Sequence, residues 1–290
     1  MLYLMSLLFI MTSSFADPKV IYGEDSRQDL WEITDPDILA AAHSTLSFSI
    51  KGLILPMGNG NYKVTPTKLR DSLSLCPEVK FGDQPAAGAC SSTLVSPRHV
   101  LTAGHCVPDQ KRCDELYLMT GFHIERGGEY PQGISGKDVY RCKKLLVRKQ
   151  DNAQDFALIE IDREITDRKP VELETKTYPL RGHQVRMIGY PDGLPSKVVS
   201  HATVRSGNYR MFLSNVDAFK GNSGSGIFSE ETGKLVGIMF KGDRDYFFNS
   251  RRGCYELNVF SEFGGRGEDA TTIYGIWPIL APFLTTNLSE

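Results

Sequence analysis

Short apolar or alternating segments, separated by clusters of Pro, Gly and Asp, recur through most of this 290-residue chain. The pattern is typical of an all-β sandwich or barrel, and it does not fit repeated βαβ units. With 41% hydrophobic residues, the chain can build the core of one large unit or of two medium ones. Strands are predicted at residues 45–50, 92–95, 139–147, 157–161, 184–188, 197–204, 211–214, 226–228 and 235–240.

Helices are predicted near both ends of the chain. Asp35 followed by Pro36 is a good helix start, an N-cap with proline in the first turn, and residues 37–43 complete a short helix. Near the C-terminus, apolar residues recur at helical spacing through residues 272–284, although two prolines lie inside this segment. We therefore expect a C-terminal helix as well.

The amino terminus has the pattern of an export signal. Residues 2–11 form an apolar run that is too short to span a bilayer, and Ser14 and Ala16 are small residues at the positions that a signal peptidase reads. No Lys or Arg precedes the run, and a buried helix is the alternative. We predict a signal peptide at 1–16, an N-terminal extension or pro-segment at 17–45, and a secreted or periplasmic product without stable membrane insertion.

Six cysteines in an exported chain indicate disulfide bonds. Two predicted strands around a turn at residues 96–98 form a hairpin whose ends bring Cys90 and Cys106 together. The pairing of the other four cysteines stays open. A zinc site is the competing interpretation, but no two cysteines have the short Cys-x-x-Cys spacing, so we predict no metal site.

The formal net charge of −2 gives no sign of a nucleic-acid partner. Residues 219–226 instead point to a chemical function, because Ser223 lies among glycines ahead of an apolar strand. A serine hydroxyl becomes a nucleophile when a base takes its proton and when backbone N–H groups stabilise the charge that develops on the substrate oxygen. Glycines allow the backbone to approach a substrate closely. Alone, this segment is equally consistent with a turn between strands.

Two upstream segments resolve the ambiguity. Residues 102–106 (Thr-Ala-Gly-His-Cys) follow an apolar strand, and residues 155–159 (Asp-Phe-Ala-Leu-Ile) open another. With the serine segment, they resemble the chymotrypsin-like serine proteases, whose chain order is also His, Asp, Ser. The resemblance implies two antiparallel Greek-key β-barrels, at 46–165 with His and Asp and at 166–290 with Ser and the C-terminal helix.

The resemblance also implies a role for each residue of the site. His105 is the general base, Asp155 orients it, and Ser223 attacks the substrate carbonyl. The backbone N–H groups of Gly221 and Ser223 form the oxyanion hole. In this family, the bridge between Cys90 and Cys106 braces the loop that carries the catalytic histidine.

Two other aspartates compete with Asp155 for the carboxylate role. They are Asp151 and Asp162, but neither is followed by the family's Ala-Leu pattern. Asn222 departs from the trypsins, which have Asp at this position and use it to pair with a freed amino terminus. The neutral Asn222 resembles the bacterial glutamyl-endopeptidase branch.

Specificity is predicted from a small set of positions near the serine. Asp217, six residues before the serine, matches the pocket floor of trypsins and would favour Arg or Lys on the acyl side of the scissile bond. Met239 occupies the position of the histidine that binds glutamate in the other branch, which counts against glutamate specificity. Lys241 could instead neutralise Asp217, while Gly242 leaves room for a substrate side chain.

The sequence thus predicts a secreted serine endopeptidase that acts on proteins or peptides and needs no cofactor. One alternative is a catalytically silent relative that binds a protein or glycan in the same cleft. The other is an esterase that uses the same three residues. The oligomeric state is not predicted.

Overall fold

The computed structural model of the chain describes residues 20–50, 52–64 and 67–285, so the predicted signal peptide lies outside the described residues. The strands in chain order are β1 (Ile21–Tyr22), β2 (Arg27–Asp29), β3 (Thr45–Ile50), β4 (Ile54–Pro56), β5 (Tyr62–Val64), β6 (Cys90–Ser96), β7 (His99–Thr102), β8 (Leu116–Met119), β9 (Gly133–Ile134), β10 (Val139–Gln150), β11 (Asp155–Ile161), β12 (Gln184–Gly189), β13 (Lys197–Gly207), β14 (Met211–Ser214), β15 (Gly226–Ser229), β16 (Leu235–Lys241), β17 (Tyr246–Asn249), β18 (Cys254–Leu257), β19 (Val259–Phe260) and β20 (Glu268–Thr272). The α-helices are α1 (Pro36–His43), α2 (Leu69–Leu73), α3 (Gln110–Glu115) and α4 (Ile273–Leu284).

The all-β prediction is confirmed. Each predicted strand is present, and its observed ends differ from the predicted ends by at most three residues. The helix after Asp35 is confirmed too, since the Asp35 side chain accepts hydrogen bonds from the amides of Asp37 (2.9 Å) and Ile38 (3.2 Å). The C-terminal helix begins at Ile273, and the side chain of Thr272 caps it by accepting from the amide of Gly275 (3.1 Å).

The first barrel is a closed ring of six antiparallel strands in the order β10, β11, β7, β6, β3, β8. Alternate residues of these strands point inward, because side chains alternate between the two faces of a strand. Their apolar side chains fill the barrel with a core that includes Leu46, Phe48, Leu94, Val100 and Ile159.

The second barrel closes through β12, β15, β16, β20, β14 and β13, and β13 pairs back with β12. Its core includes Val185, Met187, Val199, Phe212 and Ala270. The N-terminal strand β2 extends this barrel by pairing with β13. The chain ahead of the first barrel is thus anchored to the second one.

A third apolar cluster joins the two barrels. Strand β11 is apolar on both faces: Ala157 and Ile159 point into the first barrel, while Phe156 and Leu158 pack against the second barrel and α4. This double burial fixes the start of β11, and with it Asp155, at the junction of the barrels.

Three disulfide bonds are present in the described chain. The predicted bond between Cys90 and Cys106 is confirmed. The other two could not be assigned from the sequence: one joins Cys113 to Cys142, and the other joins Cys76 to Cys254 across a sequence separation of 178 residues. The bond between Cys76 and Cys254 joins the segment after α2 to the β17–β18 hairpin. The sequence pattern did not predict this hairpin.

Candidate active site

His105 lies in a short 3-10 turn that follows β7, and its neighbour Cys106 is bound to Cys90 on β6. The turn passes so close to Asp155 that a Cβ atom on Gly104 would lie only 2.8 Å from Asp155 Oδ1. A glycine is therefore required before the histidine. The His105 side chain is 35% exposed, so a substrate can reach it.

Asp155 contacts His105 at two points. Its Oδ1 accepts the backbone N–H of His105 (2.9 Å), and its Oδ2 lies 2.8 Å from the ring atom Nδ1. The carboxylate side chain is only 6% exposed. A buried carboxylate in this position favours the tautomer with hydrogen on Nδ1, which leaves Nε2 as the proton acceptor.

The two competing aspartates have other partners. Asp151 accepts from the amides of Ala153 and Gln154 and pairs with Arg210 at 2.9 Å. Asp162 accepts from the amide of Arg141 at 3.1 Å. Of the three aspartates, only Asp155 contacts His105.

Ser223 lies in the turn that leads into β15. Its carbonyl oxygen accepts the amide of Ser91 on β6 (2.8 Å) and lies 3.6 Å from Sγ of Cys106, the residue after His105. The serine turn of the second barrel is thereby fastened beside the histidine turn of the first. Within the described residues, no hydrogen bond joins the Ser223 hydroxyl to the imidazole of His105. In enzymes without bound substrate, such catalytic contacts are often long.

Ser91 was not identified from the sequence, yet it joins the walls of the site. Its hydroxyl donates to the carbonyl of Gly221 (2.8 Å) and accepts the amide of Tyr190 (2.9 Å). Gly221 has φ +93°, and a Cβ atom there would lie 2.6 Å from the Tyr190 carbonyl. The position therefore admits only glycine.

The two N–H groups predicted for the oxyanion hole are available. No acceptor within the described ranges takes the amide hydrogen of Gly221 or of Ser223. The preceding residue, Lys220, is held from both sides: its amide donates to Asp245 (2.9 Å), and its carbonyl accepts the amide of Asp192.

Asn222 stabilises the same turn without a charge. Its Oδ1 accepts the amide of Phe219 (3.0 Å), and its Nδ2 donates to the hydroxyl of Ser225 (3.1 Å). The side chain is buried. Two neutral hydrogen bonds within the turn therefore hold the Asn222 side chain.

A cavity of about 140 Å³ opens beside Ser223. Gly242 and Met239, both singled out in the sequence, lie in its wall. The lining also includes charged residues of both signs, namely Lys220, Lys241, Asp243, Asp245 and Glu268.

Asp217 is not part of this lining, contrary to its predicted place at the floor of the pocket. Its Oδ1 accepts the amide of Tyr22 (2.9 Å), and its Oδ2 accepts the amide and hydroxyl of Ser26 (2.9 and 2.6 Å). Burial raises the pKa of Asp217 to about 6. Within the described chain it forms no ion pair with Lys241. The contacts point to a structural role, in which Asp217 fixes the N-terminal segment.

Gly242 leaves space in the cavity wall as predicted, but the side chain of Glu268 fills this space. A Cβ atom on Gly242 would overlap Oε2 of Glu268. Glu268 is buried at the start of β20. Its charged, non-alternating segment carries no strand signal, so Glu268 was not identified from the sequence.

Potential metal ligands do not form a metal site here. The described chain brings together Cys90, His105 and Cys106, and separately Cys76, Glu78 and Glu256. The three cysteines in these groups are all in disulfide bonds, and a disulfide sulfur is not a thiolate ligand. None of the described helices is long and apolar enough to cross a membrane.

Comparison with known families agrees with this geometry. The family model described as a trypsin-like peptidase domain matches residues 90–238, which is more than half of the chain and includes His105, Asp155 and Ser223. The chain therefore belongs to the trypsin-like peptidases.

Individual relatives are distant. Serine protease 23 of Mus musculus is 24% identical over 168 residues, a match that spans 48% of this chain and 42% of that protein. A Glu endopeptidase structure, solved in complex with MPD, has a TM-score of 0.56 at 16% identity, covering 91% of this chain and 98% of that one. Kallikrein-related peptidase 10 has a TM-score of 0.50 at 15% identity, covering 86% and 98%. These structures establish the fold, the two-barrel fold that was predicted.

Proposed function

We propose that the protein is a serine endopeptidase in which Ser223 attacks the substrate carbonyl and His105 takes its proton. The observation that carries the proposal is the two-point contact of Asp155 with His105, at 2.9 Å to the backbone and 2.8 Å to Nδ1. This contact supports the proposal because it restrains the position of the ring and favours the tautomer that a general base needs.

The first step transfers the Ser223 proton to His105 Nε2 as the oxygen forms a bond with the carbonyl carbon. The carbonyl oxygen becomes negative and accepts from the amides of Gly221 and Ser223. The imidazolium then gives its proton to the leaving amine, and an acyl-enzyme remains. Water, activated by the same imidazole, releases the acid and restores the hydroxyl.

The buried Asp155 carboxylate stabilises the imidazolium formed in both steps. Each oxyanion-hole donor contributes about 3–4 kcal/mol to lowering the barrier in a comparable enzyme. Since the positive φ of Gly221 sets the direction of its N–H, this residue is as important to the proposal as His105, Asp155 and Ser223.

Extracellular action is part of the proposal. Three disulfide bonds suit an oxidising compartment, in keeping with the predicted signal peptide and a secreted or periplasmic location. The substrates would be proteins or peptides. We propose Arg or Lys on the acyl side of the scissile bond, selected by a carboxyl group other than that of Asp217.

The test uses a fluorophosphonate probe and a mixed peptide library on the purified protein. We expect labelling at Ser223 and cleavage of peptides, with both lost in Ser223→Ala and in His105→Ala. Ser250→Ala, at an exposed turn, is the control and should behave as the wild type.

The competing functions give different results. A folded protein that the probe does not label would be a binding module, not a hydrolase. Labelling with turnover of small acyl esters, but with no peptide cleaved, would identify an esterase. Either result would contradict the endopeptidase assignment.

A further inference from the structure

Glu268 is a buried carboxylate in the wall of the cavity beside Ser223. The residue is 0% exposed, and its backbone pairs with Ser214 at the start of β20. Both Glu268 and Ser223 line the same space of about 140 Å³. The carboxyl group of Glu268 therefore lies in the wall of a space that also borders the nucleophile.

One of the two carboxyl oxygens of Glu268 has no hydrogen-bond partner among the described residues. This oxygen is Oε2, whereas Oε1 accepts the hydroxyl of Tyr22 at 3.0 Å. A buried polar atom without a partner is costly, and few such atoms occur in folded proteins. Burial raises the pKa of Glu268 well above its usual range. The Tyr22 hydroxyl and the nearby Asp243 amide, which does not reach hydrogen-bond geometry with the carboxyl group, only partly oppose this effect. A cation in the cavity would supply the missing partner.

The other charged groups of the cavity do not neutralise Glu268. Asp243 and Asp245 are carboxyl groups themselves and cannot neutralise another one. Asp245 accepts the amide of Lys220. The side chains of Lys220 and Lys241 are exposed, and within the described part of the chain neither bonds to Glu268 Oε2. With two lysines against three carboxyl groups, the cavity has an excess of negative charge when all are ionised.

We propose that Glu268 is the specificity-determining residue, and that its Oε2 accepts a Lys or Arg side chain on the acyl side of the scissile bond. The inference rests on the proposed peptidase function, but it concerns a separate property of the site. The absence of a Cβ atom at Gly242 is what allows the Glu268 carboxyl group to occupy this position. An ammonium or guanidinium group would both pair with the free oxygen and stabilise the ionised carboxylate.

The first experiment measures ligand binding and does not require catalysis. Benzamidine and benzamide have nearly the same shape but differ in charge, so the ratio of their dissociation constants reports a cation-binding group. By titration calorimetry we expect the wild-type protein to bind benzamidine at least tenfold more tightly. The isosteric variant Glu268→Gln should remove the difference, while Asp217→Asn, which alters the rival carboxylate, should retain it.

The wild-type protein provides a second readout that needs no variant. When benzamidine binds, Glu268 should lose a proton below its raised pKa, so the binding heat should depend on the ionisation heat of the buffer. Benzamide should give no such dependence. Equal affinity for the two ligands would contradict the proposal, whether or not Glu268→Gln folds. A difference that disappears only in Asp217→Asn would also contradict it.

The peptide experiment separates this inference from the proposed function. In Glu268→Gln, the fluorophosphonate should still label Ser223, while kcat/KM for Arg and Lys peptides should fall at least tenfold relative to Leu and Gln peptides. Labelling and cleavage with no preference for Arg or Lys, or with a preference for Glu, would overturn the role of Glu268 and leave the peptidase intact. Absence of labelling in the wild type would overturn the peptidase, and the ligand ratio would still decide whether Glu268 binds a cation.

Discussion

Asn222 holds the serine turn in place with two neutral hydrogen bonds, to the Phe219 amide and the Ser225 hydroxyl. Because the residue is buried, a charge here would be separated from water. An ionised carboxylate at such a position is costly unless a cation pairs with it. The turn thus suits a neutral residue at this position.

We therefore expect Asn222→Asp to destabilise the protein, although it recreates the residue found in trypsins. The loss should be about 2 kcal/mol at pH 8 and smaller at pH 4, where the carboxyl group is protonated. Urea unfolding at the two pH values measures it. Asn222→Ser, which is also neutral, serves as the control and should show no pH dependence of its own. Equal losses for Asn222→Asp at pH 4 and pH 8 would contradict the argument.

Asp155→Asn should reduce kcat by about 10⁴-fold while leaving the fold intact, because the amide can favour the wrong tautomer of His105. Steady-state kinetics on a cleaved peptide, together with circular dichroism, tests this prediction. Asp151→Asn is the matched control, since Asp151 contacts Arg210 and not His105. A comparable loss in both variants would remove the special role of Asp155.

For single residues, the sequence predicts those that belong to a local motif. It misses those whose partners are distant in sequence. His105, Asp155 and Ser223 each carry a recognisable neighbourhood. Ser91 and Glu268 do not, because their roles depend on strands that pair only in the folded barrel. Asp217 was assigned by its distance from the serine in sequence, a distance that does not reveal that Tyr22 and Ser26 occupy its carboxylate.

Among the structural elements, strands with apolar alternation were predictable because each has one face in a barrel core. Strand β20 was not, since its sequence Glu-Asp-Ala-Thr-Thr is polar although all five residues are buried. The β17–β18 hairpin was also missed. Its anchor is the bond between Cys76 and Cys254, and residues so far apart cannot be paired from sequence.

Removing that bond should destabilise the protein more than removing the shorter bond between Cys113 and Cys142. Loop closure in the unfolded chain predicts losses of about 5 and about 3.5 kcal/mol for separations of 178 and 29 residues. Paired Cys→Ser variants under equilibrium denaturation give the comparison. The reverse order would show that strain or residual structure outweighs chain entropy.

At the scale of the whole molecule, partly buried carboxyl groups near the site have raised pKa values. Desolvation raises the pKa of Asp192 to about 7, with a further contribution from the charge of Asp245, and desolvation raises the pKa of Asp245 itself to about 6. Each contributes stability that is fully present below the pKa of the unfolded chain and is lost as the pH rises through the folded value. Partly buried histidines act in the opposite sense, because desolvation lowers the pKa of both His99 and His123. The dependence of the unfolding free energy on pH therefore combines the two effects.

A single substitution isolates the carboxylate contribution. Asp192 has φ +51°, a conformation that asparagine tolerates well, and its side chain accepts the hydroxyl of Tyr246 at 2.7 Å, a bond that an amide oxygen can keep. We expect Asp192→Asn to match the wild type at pH 4 and to exceed its unfolding free energy by about 2 kcal/mol at pH 8, because only the wild type then holds an ionised carboxylate beside Asp245. Urea titrations from pH 4 to pH 8 measure the difference, with Asp37→Asn on the exposed face of α1 as control. A difference that is constant across this range would contradict the assignment of the raised pKa to Asp192, since it would mean that the substitution acts through the backbone alone.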